Sequence, residues 1–331
     1  MQRHSDSTDT ATMTRHDESI QPAGLATERA VARLISQVER GEVEGVGADL
    51  ALNGDTGAQI IGITGSPGSG KSTLVDVLAR EIRAAGRTVA ILAIDPSSHL
   101  TGGAVLGDRV RMSSHAQDPG IFIRSMGTRG STTGLARAAR NAVKVLAAAG
   151  YDVVIVETVG VGQVELDVLT VADTVAVVLV PGLGDTMQMN KAGIMEIGDL
   201  FVVNMADRPE TQSFVRDLKQ ALVVGAGHTH GVMPPVCCTV ALTGDGVAAL
   251  WATLQKFDDD DRSSGRRRQR RRDQQSAELT REIERRVSAL LRDAMAGSAG
   301  LAQLRSRVLD GDLTPRAAAD EWLSMVTLQF D

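Results

Sequence analysis

The chain has 331 residues, of which 43% are hydrophobic but only 2% aromatic, and a formal charge of −6. That composition supports one sizeable α/β domain with a Val, Ile, Leu and Ala core plus helical appendages, and its acidic balance leaves no overall basic field to hold nucleic acid. No apolar stretch approaches the roughly 20 residues that a membrane span needs. Cys237 and Cys238, the only cysteines, would point to opposite faces of a strand, which argues against a disulfide between them and for a reducing, cytoplasmic setting.

Residues 1–24 are rich in Ser, Thr, Asp and His. They are expected to be a disordered N-terminus, without the apolar centre of a signal peptide. Within a helical extension at 25–57, apolar spacing at Ala30, Leu34, Ile35 and Val38 predicts a helix from Thr27 to about Val43, packed on the main domain.

The main domain is expected at 58–257. Its strand runs are 60–63, 89–94, 121–123, 153–156, 175–180, 201–203 and 236–240, mostly without polar alternation. Strands apolar on both faces belong to a mostly parallel, doubly wound sheet covered by helices on both sides. Gly86 and Gly150 stand where two of the intervening helices are expected to end.

After the first run comes Gly65-Ser66-Pro67-Gly68-Ser69-Gly70-Lys71-Ser72, the full G-x-x-x-x-G-K-[ST] pattern, followed by Thr73-Leu74-Val75 at the opening of an amphipathic helix. The glycines let the backbone turn tightly, so that successive N–H groups and the positive helix end face phosphate oxygens. Lys71 brings charge to the terminal phosphates, and Ser72 an oxygen for Mg²⁺. The expected fold is therefore a phosphate-loop NTPase.

Asp95, at the end of the 89–94 run, is the better candidate for a second Mg²⁺ ligand. Glu157-Thr158-Val159-Gly160 follows the 153–156 run, where such enzymes carry the acid that reaches metal or water and a glycine that contacts the terminal phosphate. Gly-rich loops through Gly102-Gly103 and Gly127-Thr128-Arg129-Gly130 suit segments that reorder with phosphate state. Arg109, Arg111 and Arg129 are candidates to stabilise transition-state charge, beside ordinary surface roles.

Asn204-Met205-Ala206-Asp207 lies directly after a strand run, where guanine-specific proteins carry N-K-x-D. Asp207 matches the paired N1–H and N2–H donors of guanine, which adenine lacks. Met205 replaces the usual lysine, and its thioether stem can still lie against a base. Ala241 and Leu242 fit the remaining base-binding loop.

Beyond 257 the chain turns to Asp258-Asp259-Asp260-Asp261 and the Arg-rich run 266–272. Residues 258–275 are read as a charged linker, the Arg run as the solvated face of a long helix, with nucleic-acid binding as the competing reading. Residues 276–331 are read as a helical arm with apolar positions Leu279, Ile283, Val287, Leu290 and Leu291. It ends in a helix capped by Thr314 with Pro315 in its first turn. A helical arm with an apolar stripe and no core of its own is expected to form a homodimer.

Together with the phosphate loop, several motifs resemble the MeaB/ArgK-type GTPases, chaperones of adenosylcobalamin-dependent acyl-CoA mutases such as methylmalonyl-CoA mutase. They are Asp95-Pro96-Ser97-Ser98, Thr101-Gly102-Gly103, Leu106-Gly107-Asp108-Arg109, Arg124-Ser125-Met126, Thr128-Arg129-Gly130, residues 157–163, and Gly184-Asp185 with Gln188 and Lys191. The resemblance covers about residues 27–331. It implies GTP and GDP as ligands, a low intrinsic hydrolysis rate accelerated by the mutase, gating of cofactor delivery, and a mobile loop containing Asp185, Gln188 and Lys191. The alternatives are a kinase of the older transport-related ArgK label, and a nickel metallochaperone GTPase, for which His228 and His230 are the one close His pair.

Overall fold

The computed structural model describes residues 27–42, 57–95, 118–127, 132–158, 170–182, 197–224, 233–296 and 298–325. The chain divides into two compact units, residues 1–267 and 268–331.

The first unit is built on a seven-stranded sheet of order β3-β2-β4-β1-β5-β6-β7, every pair parallel. The strands are β1 (Gln59–Thr64), β2 (Val89–Asp95), β3 (Ile121–Gly127), β4 (Val153–Thr158), β5 (Thr174–Leu179), β6 (Leu200–Val203) and β7 (Val236–Cys238). The helices are α1 (Glu28–Arg40), α2 (Lys71–Ala84), α3 (Thr132–Ala148), α4 (Thr211–Val224) and α5 (Val247–Ser263).

Successive strand residues enter opposite cores, as period-two side-chain alternation requires. Ile60, Leu92, Val154, Val177 and Phe201 join α1, α3 and α4 on one face. Ile61, Ile63, Ile91, Ile155, Val178 and Val202 join α2 and α5 on the other. Both faces being buried is why the strand runs lack polar alternation. The expected doubly wound, parallel α/β fold is the fold observed.

Helix α1 shows how local sequence sets an element. Thr27 is its N-cap and accepts from the Ala30 N–H, while Val31, Leu34, Ile35 and Val38 form the buried stripe. The helix stops three residues before the expected Val43, because Gly41 at φ 69° takes the left-handed C-terminal cap.

Strand β7 ends at Cys238, short of the expected Val240. Thr239 still donates to Val203 O, but Val240 turns back to pair with Asp245. Both cysteines are free thiols.

Residues 258–275, read as a charged linker, are helical apart from the short turn at Ser264-Gly265, running from the end of α5 into α6 (Arg266–Ala296). The second unit contains most of α6, with α7 (Ala299–Leu309) and α8 (Pro315–Met325). Its small core joins Leu304, Ala318 and Trp322 to Leu291, Leu301, Val308 and Leu313. Ser298 caps α7 and also accepts from the Trp322 indole at 3.1 Å. Leu279 and Ile283, one helical turn apart on α6, are 62% and 53% exposed. None of the helices among the described residues is long and apolar enough to cross a membrane.

Candidate nucleotide site

Strand β1 lies between β4 and β5, where the strand order reverses, and an open parallel sheet binds ligands beyond the carboxyl ends of its strands at such a point. The chain leaves β1 at Thr64 and makes the glycine-rich turn 65–70. Gly65 has φ 146°, and a Cβ there would lie 2.1 Å from Val178 O, so only glycine passes this strand. Gly70, at φ 82°, is the N-cap of α2 and offers no side-chain cap; the first turn of the helix also contains no acid. The leading N–H groups of α2, which have no partner within the helix, are thus left for an external anion. Ser69 Oγ is buried and has no hydrogen-bond partner among the described residues. An uncapped helix start, a left-handed glycine and an unpartnered buried hydroxyl together fit a phosphate cradle.

Lys71 is buried on the first turn of α2. Its ammonium donates to Gly65 O at 2.7 Å and Ser66 O at 2.9 Å. Burial lowers its pKa below the ordinary lysine value, and the nearby Glu157 carboxylate opposes that shift.

Ser72 donates to Glu157 Oε1 at 2.6 Å. Glu157 is buried near the end of β4, level with Ile63 of β1 and Ala93 of β2. Two oxygens expected around Mg²⁺ are therefore brought together from positions 85 residues apart. One is a hydroxyl and one a carboxylate, a donor set that suits a hard divalent cation. Asp95 closes β2 opposite Gly127 of β3, two residues past the level of Glu157. Its side chain lies outside the described residues, as do Gly160, Asp185, Gln188, Lys191 and the arginines 109, 111 and 129.

Beyond β6, the Asn204 amide is buried and joins two loops. Its Nδ2 donates to Ser69 O at 2.9 Å, while Oδ1 accepts from Thr239 Oγ1 at 3.2 Å and from the Ala241 N–H at 3.1 Å. Asn204, assigned to the nucleotide on sequence grounds, has its amide held between the phosphate loop and the 239–241 segment by these three bonds. Met205 is the one non-glycine residue with positive φ, 55°, among the described residues, and its methyl lies 3.8 Å from where a Gly70 Cβ would stand. Asp207 is exposed. Ala241 is buried and Leu242 is 88% exposed beside it. A bond from the Ala206 N–H to Thr239 O ties these two loops together.

The family model described as "Methylmalonyl Co-A mutase-associated GTPase MeaB" matches residues 14–296. This chain belongs to the MeaB family. A Pyrococcus horikoshii protein named as a GTPase is 44% identical over 316 residues, covering 92% of this MeaB-family chain and 96% of its own length. The mitochondrial methylmalonic aciduria type A homolog of Mus musculus is 30% identical over 263 residues, 78% of this chain and 63% of that protein. Among solved structures, a LAO/AO transport system kinase superposes with a TM-score of 0.68 at 26% identity, covering 93% of this chain and 96% of that one.

Sequence reasoning missed the bridging role of Asn204. It also missed the bond from Thr158 Oγ1 to Thr64 Oγ1 at 3.0 Å, which joins the carboxyl ends of β4 and β1. The signal for Asn204 was its position at a strand end, but the partners it joins lie 135 and 37 residues away.

Proposed function

We propose that this chain binds GTP and hydrolyses it to GDP and phosphate, acting as a chaperone of an adenosylcobalamin-dependent acyl-CoA mutase. The supporting observation is the convergence of Lys71, Ser72 and Glu157 at an uncapped helix start, in a member of the MeaB family. Hydrolysis breaks the bond between the terminal phosphorus and its bridging oxygen while a water oxygen bonds to that phosphorus. The water's protons pass to solvent and product phosphate. The N–H groups at the start of α2 and the Lys71 ammonium would stabilise the phosphoryl charge as it grows.

Ser72 and Glu157 would hold Mg²⁺, joined by Asp95, and bound Mg²⁺ supplies neutralisation of phosphate charge. Glu157 is the described acid placed either to serve the metal or to orient water. Gly160 is assigned to the terminal phosphate, and Asp185, Gln188 and Lys191 to a loop that responds to the partner. On the base side, Asp207 selects guanine, and Ala241 and Leu242 border the base while Asn204 holds their loop to the phosphate loop.

The proposed organisation is a helical extension at 25–57, a GTP-binding domain at 58–257 and a dimerising arm within 276–331. The exposed Leu279 and Ile283 stripe supports self-association of that arm. Slow intrinsic turnover, acceleration by the mutase and a cytoplasmic setting complete the reading.

The test is phosphate release from GTP with and without each candidate cobalamin mutase, with ATP as control. Slow GTP turnover that a mutase accelerates is the expected result. Phosphate transferred to an amino acid or protein instead of water would replace this reading with a kinase.

A further inference from the structure

The Arg-rich run that looked like a solvated face contains one of the most buried charges among the described residues. Arg267 is 2% exposed; its guanidinium donates to Asp258 Oδ1 at 2.7 Å and to Ala58 O, and its Nε lies 3.5 Å from Asp173 Oδ2. Arg262 donates to Asp258 Oδ2 at 2.7 Å and to Gly57 O. Gln59 donates to Leu254 O at 2.9 Å, and Asp173 accepts from the Ile60 N–H at 3.0 Å. Residues 57 to 60, the entrance to β1, are therefore each held by α5, by the first turn of α6 or by an acid paired to it.

Buried ion pairs contribute little net stability, because desolvation offsets their attraction, but they favour one arrangement over others. What this arrangement fixes is the axial position of β1. Its six residues, at about 3.3 Å each, carry that position about 20 Å to Gly65. Strand β1 is buried on both faces, so a shift at its entrance is passed along rather than absorbed. A shift relative to β4 would change the separation of Ser72 from Glu157.

We propose that Arg267, with Asp173 and Asp258, is a positioning cluster for the nucleotide loop, linking the start of α6 energetically to guanine nucleotide affinity. The proposal rests on the nucleotide-site reading above.

The experiment measures release of a fluorescent GDP from the full-length chain. Wild type is compared with the neutralised triple variant Arg267→Met, Asp173→Asn, Asp258→Asn, and with Arg262→Met, whose side chain is 37% exposed. Ile35→Ala, in the α1 packing, is the control that lowers stability without touching the cluster. GDP release is expected to be about three- to tenfold faster in the triple variant, faster by a smaller factor in Arg262→Met, and unchanged in the control. Wild-type release from either cluster variant, shown folded by circular dichroism, overturns the inference; if the triple variant does not fold, Arg262→Met decides alone. Release as fast in Ile35→Ala also overturns it, by reducing the cluster to general stability. Failure of wild type to bind GDP would instead overturn the nucleotide reading itself.

Discussion

Replacing Asn204 by alanine removes three hydrogen bonds from one buried amide: to Ser69 O, from Thr239 Oγ1 and from the Ala241 N–H. At about 1 kcal/mol net each, the loss is about 3 kcal/mol. Thr239 and Ala241 are themselves buried, so the groups left behind are not rescued by water. Against a typical total of about 5–15 kcal/mol, the variant should remain folded at 25 °C. Urea unfolding followed by circular dichroism should show a lower midpoint with an unchanged slope, and guanine nucleotide affinity should fall because both loops that face the ligand lose their common tie. Asn204→Asp separates the two ends. It can keep both accepted bonds but turns a carboxylate oxygen toward Ser69 O, so nucleotide affinity should suffer more than the loop at 239–242. An Asn204→Ala protein within about 0.5 kcal/mol of wild type, the scatter of ordinary surface substitutions, with intact nucleotide binding, would refute the bridging account.

Lys71→Ala removes the ammonium and its bonds to Gly65 O and Ser66 O; hydrolysis measured by phosphate release should fall by at least about a hundredfold, and retention of a tenth of the rate would contradict its assignment. Met205→Lys keeps the left-handed backbone cost at φ 55° and restores a longer charged stem over the base, so calorimetry should show tighter GDP binding at similar stability; unchanged affinity would contradict the base-pocket reading. Leu279→Asp combined with Ile283→Asp places two charges on the exposed stripe of α6; sedimentation should shift from dimer to monomer, and an unshifted dimer would move the interface elsewhere.

What was legible in the sequence was what local pattern determines. The phosphate loop, the seven strand runs and the cap at Thr314 each depend on residues within a few positions of one another. Glu157 was singled out because it follows a strand run, and the structure joins it to Ser72. Long-range partners were not legible. Asn204 was read through its motif beside Asp207, and nothing in that motif showed its bond to Ser69 across 135 residues. Arg267 looked solvated because it stands among six other residues of a polar run, Arg266 to Arg272. Only its folded neighbours Asp258, Asp173 and Ala58 set it apart from Arg268. The acidic residues 258–261 carried a faint signal, since an acidic turn shortly before a basic one invites pairing, and Asp258 and Asp261 are the two that are buried.

The central claim is that the turn between β1 and α2 cradles a guanosine triphosphate while Asp207 chooses the base. Titration calorimetry of the purified chain with GTP and with ATP, both in Mg²⁺, tests it most directly. Saturable binding of one GTP per chain, with ATP at least about a hundredfold weaker as expected where a site's base partners are left unpaired, is the predicted outcome. Heats no larger than dilution for GTP, or equal affinity for the two nucleotides, would contradict it.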